Sequence, residues 1–475
     1  RVSAFIVSDR RRFLSQSAAL GLSLLAPRPT RIRGRVSAGG KGVPRVVVSD
    51  GLSSIPTDAN GDFELVSDRK ARFAFVSLPT GYRVPQDEWG LARIYHPLDL
   101  ESADEAALEF RLEASDSADD AHRFLVFGDT QIATSDDADE LDRAMKDVER
   151  SAVFGVTCGD LVHDAMNLFP RYRAAVASLG VPFFQVVGNH DLDPARGSLR
   201  RRGIFESFFG PTRYSFNVSG VHYVALDDVF WLGDGYVGFL EEDQLSWLAS
   251  DLARVEPGSV VVVCAHIPFL STASERTLGK IGKREAEVTN RDRLFEILSP
   301  FRAHFVTAHT HESEHVLHGG VHEHVVSTVC GAWWSGPICW DGTPNGYHIY
   351  ESRSGELSWS FRPTGLGDRQ LRVYPAGSDP NRPGEIVANV WNWDPQWKVL
   401  WHENGIRKGE MRRDRGLDPT AVALYQGSDR PPKNPVWVEP VPTDHLFYAR
   451  PTGGSVAVEV VDRFGRTSSA TIEEG

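Results

Sequence analysis

The stretch HRFLVFGDTQ, residues 122 to 131, runs Phe124, Leu125, Val126 and Phe127 straight into Gly128, Asp129 and Gln131. A short apolar run of this kind reads as a strand buried on both faces. Burial gives no reason for a carboxylate and an amide at its end. The same ending recurs along the chain. AVFGVTCGD (152–160) closes on Asp160 and continues to His163 and Asp164. PFFQVVGNHD (182–191) ends in Asn189, His190 and Asp191. SVVVVCAHIP (259–268) delivers His266, and AHFVTAHTH (303–311) delivers His309 and His311. One such histidine is most simply a hydrogen-bonded surface residue. Five strands ending alike gather oxygen and imidazole groups at one sheet edge, where open α/β sheets bind ligands.

Helix-like stretches separate these strands. They include DDADELDRAMKDVERS (136–151), FPRYRAAVASLG (169–180), FLEEDQLSWLASDLARV (239–255) and NRDRLFEILSP (290–300). The alternation predicts an α/β domain over residues 120–362. On either side the rhythm is that of short strands and Gly, Pro or Asn turns. Residues 30–115 and 363–475 are therefore expected to be small all-β sandwich modules. Strands are expected at GEIVANVWNWD, WKVLWHENG, AVALYQG, DHLFYARPT and SVAVEVVDRFG in the second. Asp58, Asn60 and Asp62 faintly echo a calcium loop but read as a turn, and the acidic LEASDSADDAH (112–122) reads as a linker.

A length of 475 residues suits two or three domains. A formal net charge of −13 argues against a nucleic-acid surface, which needs a basic face. In residues 1–29, SDRRRFLSQSAALGLSLLAPRP has an arginine cluster followed by an apolar run too short to span a membrane. It is similar to a twin-arginine export signal, which implies a periplasmic or extracellular location and no stable membrane span. Cys158 and Cys264 sit in apolar strands, while Cys330 and Cys339 flank a loop. That spacing leaves pairing open outside the cytoplasm, with separate thiols preferred. Oligomeric state has no signature in the sequence.

Carboxylate, amide and imidazole donors without thiolate suit two divalent or trivalent ions, Mn, Fe, Zn or Co. Asp160, on the central strand, is placed to bridge them. Two ions roughly 4 Å apart clamp a phosphate and acidify a water. His190 is placed to protonate a leaving alkoxide, oriented by Asp191 or Asp164. Glycines before Asp160 and Asn189 are expected to let the backbone turn sharply at the strand ends.

In order and spacing, GDLVHD, GNHD, His266 after a Val-rich strand and AHTH resemble the calcineurin-like metallophosphoesterases over about residues 122–312. The resemblance implies a four-layer αββα core and a phosphomonoesterase or phosphodiesterase that uses metal-bound hydroxide. It also implies one ion held by Asp129, Asp160 and His311 and another by Asp160, Asn189, His266 and His309. The flanking modules look like those of a bacterial branch of this family. The family's D-x-H is here Asp129-Thr130-Gln131, and Ala308 replaces a glycine. His163, three residues after Asp160, stands where purple acid phosphatases carry a tyrosine ligand, so His163 or Gln131 is expected to fill the vacated position. CGAWWSGPICWDGTPNGYHIY (330–350) follows the last motif. It is read either as an aromatic wall of Trp333, Trp334, Trp340 and Tyr347 that stacks the sugar, base or lipid head group of a small phosphate-ester substrate, with Trp334 and Asn345 as contacts, or as core beneath a loop. A monoester dianion wants extra cations, and Arg196, Arg213, Arg284 and Arg291 are candidates. The competing reading is a non-catalytic cell-envelope binding protein built on a degenerate core, for which Gln131 is the main sign.

Overall fold

A computed structural model describes residues 30–472 except 69, 101–104, 116–120, 194–200, 234 and 429. The twin-arginine-like segment, part of the acidic linker and Arg196 lie outside the described residues. Among the described residues no helix is long and apolar enough to cross a membrane.

Two sheets form the centre of the molecule. In the first, Ala121–Phe127 lies parallel to Phe154–Cys158, which lies parallel to Phe183–Val186. Gly346–Arg353 and Glu356–Pro363 complete it as antiparallel strands. In the second, Val221–Ala225, Val260–Cys264, Arg302–Thr307 and Val321–Val325 are successive parallel neighbours, with antiparallel Tyr214–Val218 and Glu314–His318 at the edges. Every residue of Phe154–Cys158 and of Val260–Cys264 is buried, as expected of strands covered on both faces.

Between the sheets, Phe124 stacks on Phe154 at 5.0 Å, and Phe154 meets Tyr223 edge-on at 5.1 Å. Helices Ser135–Ala144 and Phe169–Ala177 pack together, as do Glu242–Leu252 and Arg291–Leu298. The core is thus the four-layer αββα arrangement. Parallel strands in both sheets deliver their carboxyl ends, and the loops after them, to one edge.

The module before the core is a sandwich of two four-stranded sheets, and so is the module after it. In the first, Asp58 Oδ1 accepts from the backbone of Asn60 at 2.8 Å and Asp62 at 2.9 Å, so this is a turn. The second is not all-β. AVALYQG, expected as a strand, lies in the helix Pro419–Gln426. Asp418 caps it by accepting from Ala421 N at 2.8 Å, and Pro419 is in its first turn. Ala421 and Tyr425, four apart, bury one face against Ile338 and Val438. All four cysteines are free.

Candidate metal centre

The donors named from the strand ends converge. His266 Nε2 lies 3.0 Å from Asn189 Oδ1, 3.0 Å from His309 Nδ1 and 3.3 Å from Asp160 Oδ2. His311 Nε2 lies 3.4 Å from Asp129 Oδ1, and the backbone N–H of His309 donates to Asp129 Oδ2 at 2.9 Å. Gln131 Nε2 donates to Asp160 Oδ2 at 2.7 Å. Asp129, Gln131, Asp160, Asn189, His266 and His311 are buried and His309 is half-buried.

Backbone geometry concentrates here. Asp129, Gln131, Asp160, His309 and His311 all have positive φ, between 21° and 69°. Non-glycine residues rarely adopt that region, and each such residue costs of order 1–3 kcal/mol. Gly159, with φ 84°, turns the chain as expected. Gly188 does not, since its φ is −109°. Its role is close approach: a Cβ there would overlap the backbone nitrogen and Oδ1 of Asp160.

Second contacts fix the imidazoles. His266 Nδ1 faces Cys158 O at 2.8 Å, and His311 Nδ1 faces Gly331 O at 2.6 Å. A carbonyl only accepts, so each Nδ1 carries the hydrogen. In the neutral ring Nε2 is then left as a lone pair aimed at the other donors. Asp228 holds the His266 loop by accepting from His266 N and Ile267 N, and burial raises its carboxyl to about 8. It follows a strand that also ends in carboxylates, Val221–Ala225 then Asp227 and Asp228, a signal the sequence reading passed over.

These residues fit two cations. Asp129 Oδ1, Gln131 Oε1 and His311 Nε2 are buried without a hydrogen-bond partner, an arrangement that is costly unless a cation satisfies them. Donor separations of 3.0 to 3.4 Å match the edges expected when each donor sits about 2.1 Å from a shared ion. Burial opposes charge on Asp160 and on His266. Each nonetheless holds the other's charged form, with Asp160 below the usual carboxylate range and His266 above that of histidine. A proton and a metal ion compete for that lone pair. Burial, then the charge of His266, lowers His309 to about 3 and keeps it neutral.

Other expected site residues fall differently. His163 stacks on His190 with ring centroids 4.1 Å apart. Its ligating atom groups with Asp164 and His190, and its Nδ1 is buried without a hydrogen-bond partner. His190 Nδ1 lies 3.0 Å from Asp164 Oδ1, and its backbone N–H donates to Asp160 Oδ1 at 2.9 Å. Asp191 does not orient His190. It accepts from the backbone of Leu161, Val162 and Gly188, tying two ligand loops together.

Trp334 is turned inward, its Nε1 donating to Thr130 O at 2.8 Å. With Asn345 it lines a shallow cavity of about 250 Å³ that includes Arg143 and Asp147 and none of the metal candidates. Trp333, a member of the expected wall but not one of its two expected contacts, lies against the centre instead: it stacks on His311 at 3.9 Å. Tyr236 meets the other side, edge-on to His309 at 5.8 Å. Arg213 is engaged by Asp243 and Arg291 by Glu287.

A core of two facing sheets with paired nitrogen and oxygen donor sets at one edge defines a metallophosphoesterase. The chain belongs to the calcineurin-like phosphoesterase family. Residues 122–313 match the calcineurin-like phosphoesterase model, 30–115 the N-terminal and 323–467 the C-terminal model of calcineurin-like phosphoesterase. The last match starts inside the core, whose first sheet includes Gly346–Pro363. Members of this family are generally metal-dependent phosphoester hydrolases with a dinuclear centre.

Among solved structures, a dimetal phosphatase from Danio rerio shares 14% identity, covering 51% of this chain and 99% of its own, with a TM-score of 0.38. A purple acid phosphatase from yellow lupin seeds shares 13%, covering 66% and 57%, with a TM-score of 0.39. The phosphopantetheinyl hydrolase of Mycobacterium tuberculosis shares 12%, covering 43% and 89%, with a TM-score of 0.32. No curated protein matches the chain.

Proposed function

We propose that the protein is an exported hydrolase of small phosphoric esters, monoester or diester, working at two metal ions. The reading is carried by two donor sets: Asp160, His266 and His309, whose ligating atoms lie within 4.8 Å of one another, and Asp129, Gln131 and His311, whose buried donor atoms have no hydrogen-bond partner. Asp129, Gln131, Asp160 and His311 would hold one ion, and Asp160, Asn189, His266 and His309 the other. Bound there, the ions supply charge for the phosphoryl oxygens and acidify a water.

The chain's own residues do the rest. The hydrogen on His190 Nδ1 is held by Asp164, which leaves Nε2 to carry the proton that the leaving alkoxide takes. Burial opposes the charged ring, but Asp160 and Asp164 together raise its pKa above the ordinary histidine value. Burial and the charge of His190 lower that of His163, which stays neutral as a flat wall against the donor. Gln131 keeps an oxygen donor at the first motif, so the alternative of a retired, purely binding core loses its main support. Export rests on the twin-arginine-like SDRRRFL.

The test is hydrolysis of 4-nitrophenyl phosphate and bis(4-nitrophenyl) phosphate after loading with Mn, Fe, Zn or Co. Wild type turns over one or both. In His190→Ala, kcat on an alkyl phosphate ester, whose alkoxide cannot leave without a proton, falls roughly 10²- to 10⁴-fold while metal content is kept and nitrophenyl esters are affected far less. Unchanged kcat on the alkyl ester in the variant removes His190 as the acid, and no turnover by any loaded wild type removes the reading.

A further inference from the structure

Trp333 covers one face of His311, and its edge does not end in solvent. Trp437, from the C-terminal module, meets it at 4.5 Å and 76°, and Trp340 meets it at 5.3 Å and 80°. Trp437 is 55% exposed and Val436 beside it 87%. An aromatic surface thus runs from a candidate metal ligand outward to a large exposed ring.

The exposed ring is presented by a braced loop. Val438 is fully buried among Ala332, Ile338, Ala421 and Tyr425. Its backbone N–H donates to Pro435 O at 3.0 Å, and its carbonyl accepts from Arg430 at 3.3 Å. Asn434 Oδ1 accepts from Ser335 Oγ at 3.1 Å, and Lys433 reaches Asp137 and Glu140 at 3.4 and 3.5 Å. On the core side, Trp333 and Trp334 hold consecutive positive φ of 54° and 55°, sending Trp334 inward and Trp333 over His311. Trp340 Nε1 donates to Thr310 O, between the two histidines of the last motif, at 2.9 Å.

Hydrogen-bonded loops from two modules hold these tryptophans beside a polar centre, and amphipathic aromatic rings so placed form a pre-organised stacking surface. We propose that Trp437 and Trp333 form a subsite for the organic half of the substrate, and that this half carries a flat aromatic ring, aryl or nucleobase. The proposal rests on the phosphoesterase reading. It gives the C-terminal module a part in substrate choice.

The experiment compares phenyl 4-nitrophenyl phosphate with methyl 4-nitrophenyl phosphate, which share a leaving group and differ only in the ring. Wild type is expected to favour the phenyl ester in kcat/KM. Trp437→Ala is expected to lower the phenyl-to-methyl ratio about tenfold, as loss of a stacking partner does. Trp437→Phe is expected to restore most of it. The ratio is read within one protein sample, so a partly misfolded variant does not mimic the effect.

Binding of phenylphosphonate and methylphosphonate to the metal-loaded protein, followed by tryptophan fluorescence, gives the same comparison without turnover. Selective loss of phenylphosphonate affinity in Trp437→Ala supports the subsite even if neither diester is hydrolysed; the phosphoesterase reading fails alone only if 4-nitrophenyl phosphate is not hydrolysed either. Equal ratios in wild type and Trp437→Ala, in turnover and in binding, overturn the subsite.

Discussion

At the scale of single residues the open point was which side chain replaces the first-motif histidine. Gln131 has a buried, unpartnered Oε1 and an amide nitrogen on Asp160; His163 Nδ1 is also buried and unpartnered, but its ring lies on His190 and its ligating atom groups with Asp164 and His190. Gln131→Ala is therefore expected to weaken one metal site by about 10–100-fold, the scale seen when a residue supporting a metal ligand is lost. His163→Ala is expected to keep both ions. Metal titration followed by elemental analysis decides between them, and loss of an ion in His163→Ala would reverse the assignment. The donors were legible because each follows a buried strand and each is a residue type that burial disfavours. Trp437 was not: it lies in the proline-rich PPKNPVWVEP, more than a hundred residues from His311, and only tertiary packing brings it near. Nor do residue types reveal positive φ at non-glycine positions, because the strain is imposed by the surrounding fold.

At the scale of elements, parallel strands leave little freedom. Once Phe154–Cys158 lies between Ala121–Phe127 and Phe183–Val186, their loops must meet. Gly188 shows how closely. Gly188→Ala is expected to destabilise by about 1–3 kcal/mol, the usual cost of overpacking, because backbone rather than a flexible side chain blocks the new Cβ. It should weaken metal binding as well, since the clash is with Asp160. Gly203→Ala, with open space around its Cβ, should stay within about 1 kcal/mol of wild type. Thermal melts with and without metal measure both, and an unperturbed Gly188→Ala would mean the loops are looser than described. The helix Pro419–Gln426 was the element misread. A run of eight mostly apolar residues fits strand and helix alike, and its capping Asp418 and Pro419 were the signal to weigh.

At the scale of the whole molecule the N-terminal module and the core share one hydrophobic cluster, whereas the second sandwich has its own. Trp247 of the core is fully buried against Phe75 of the first module, and its Nε1 donates to Ser49 Oγ at 3.0 Å. Trp247→Ala is expected to cost about 3–5 kcal/mol in denaturant unfolding and to loosen the module, seen as faster proteolysis. A cost below about 1 kcal/mol would mean the two fold independently. The C-terminal module reaches the centre by a polar route too. His445 Nε2 lies 3.1 Å from Asp341 Oδ2, which accepts from the backbone of Ser313, two residues past His311. All of this organisation converges on Asp160, whose carboxylate touches both donor sets. The most direct measurement is the metal content of wild type and Asp160→Asn, purified and loaded alike. Two ions per chain in wild type, at most one in the variant, and hydrolysis in wild type alone are the expected results. Equal metal content in the two proteins would contradict a dinuclear centre bridged by Asp160.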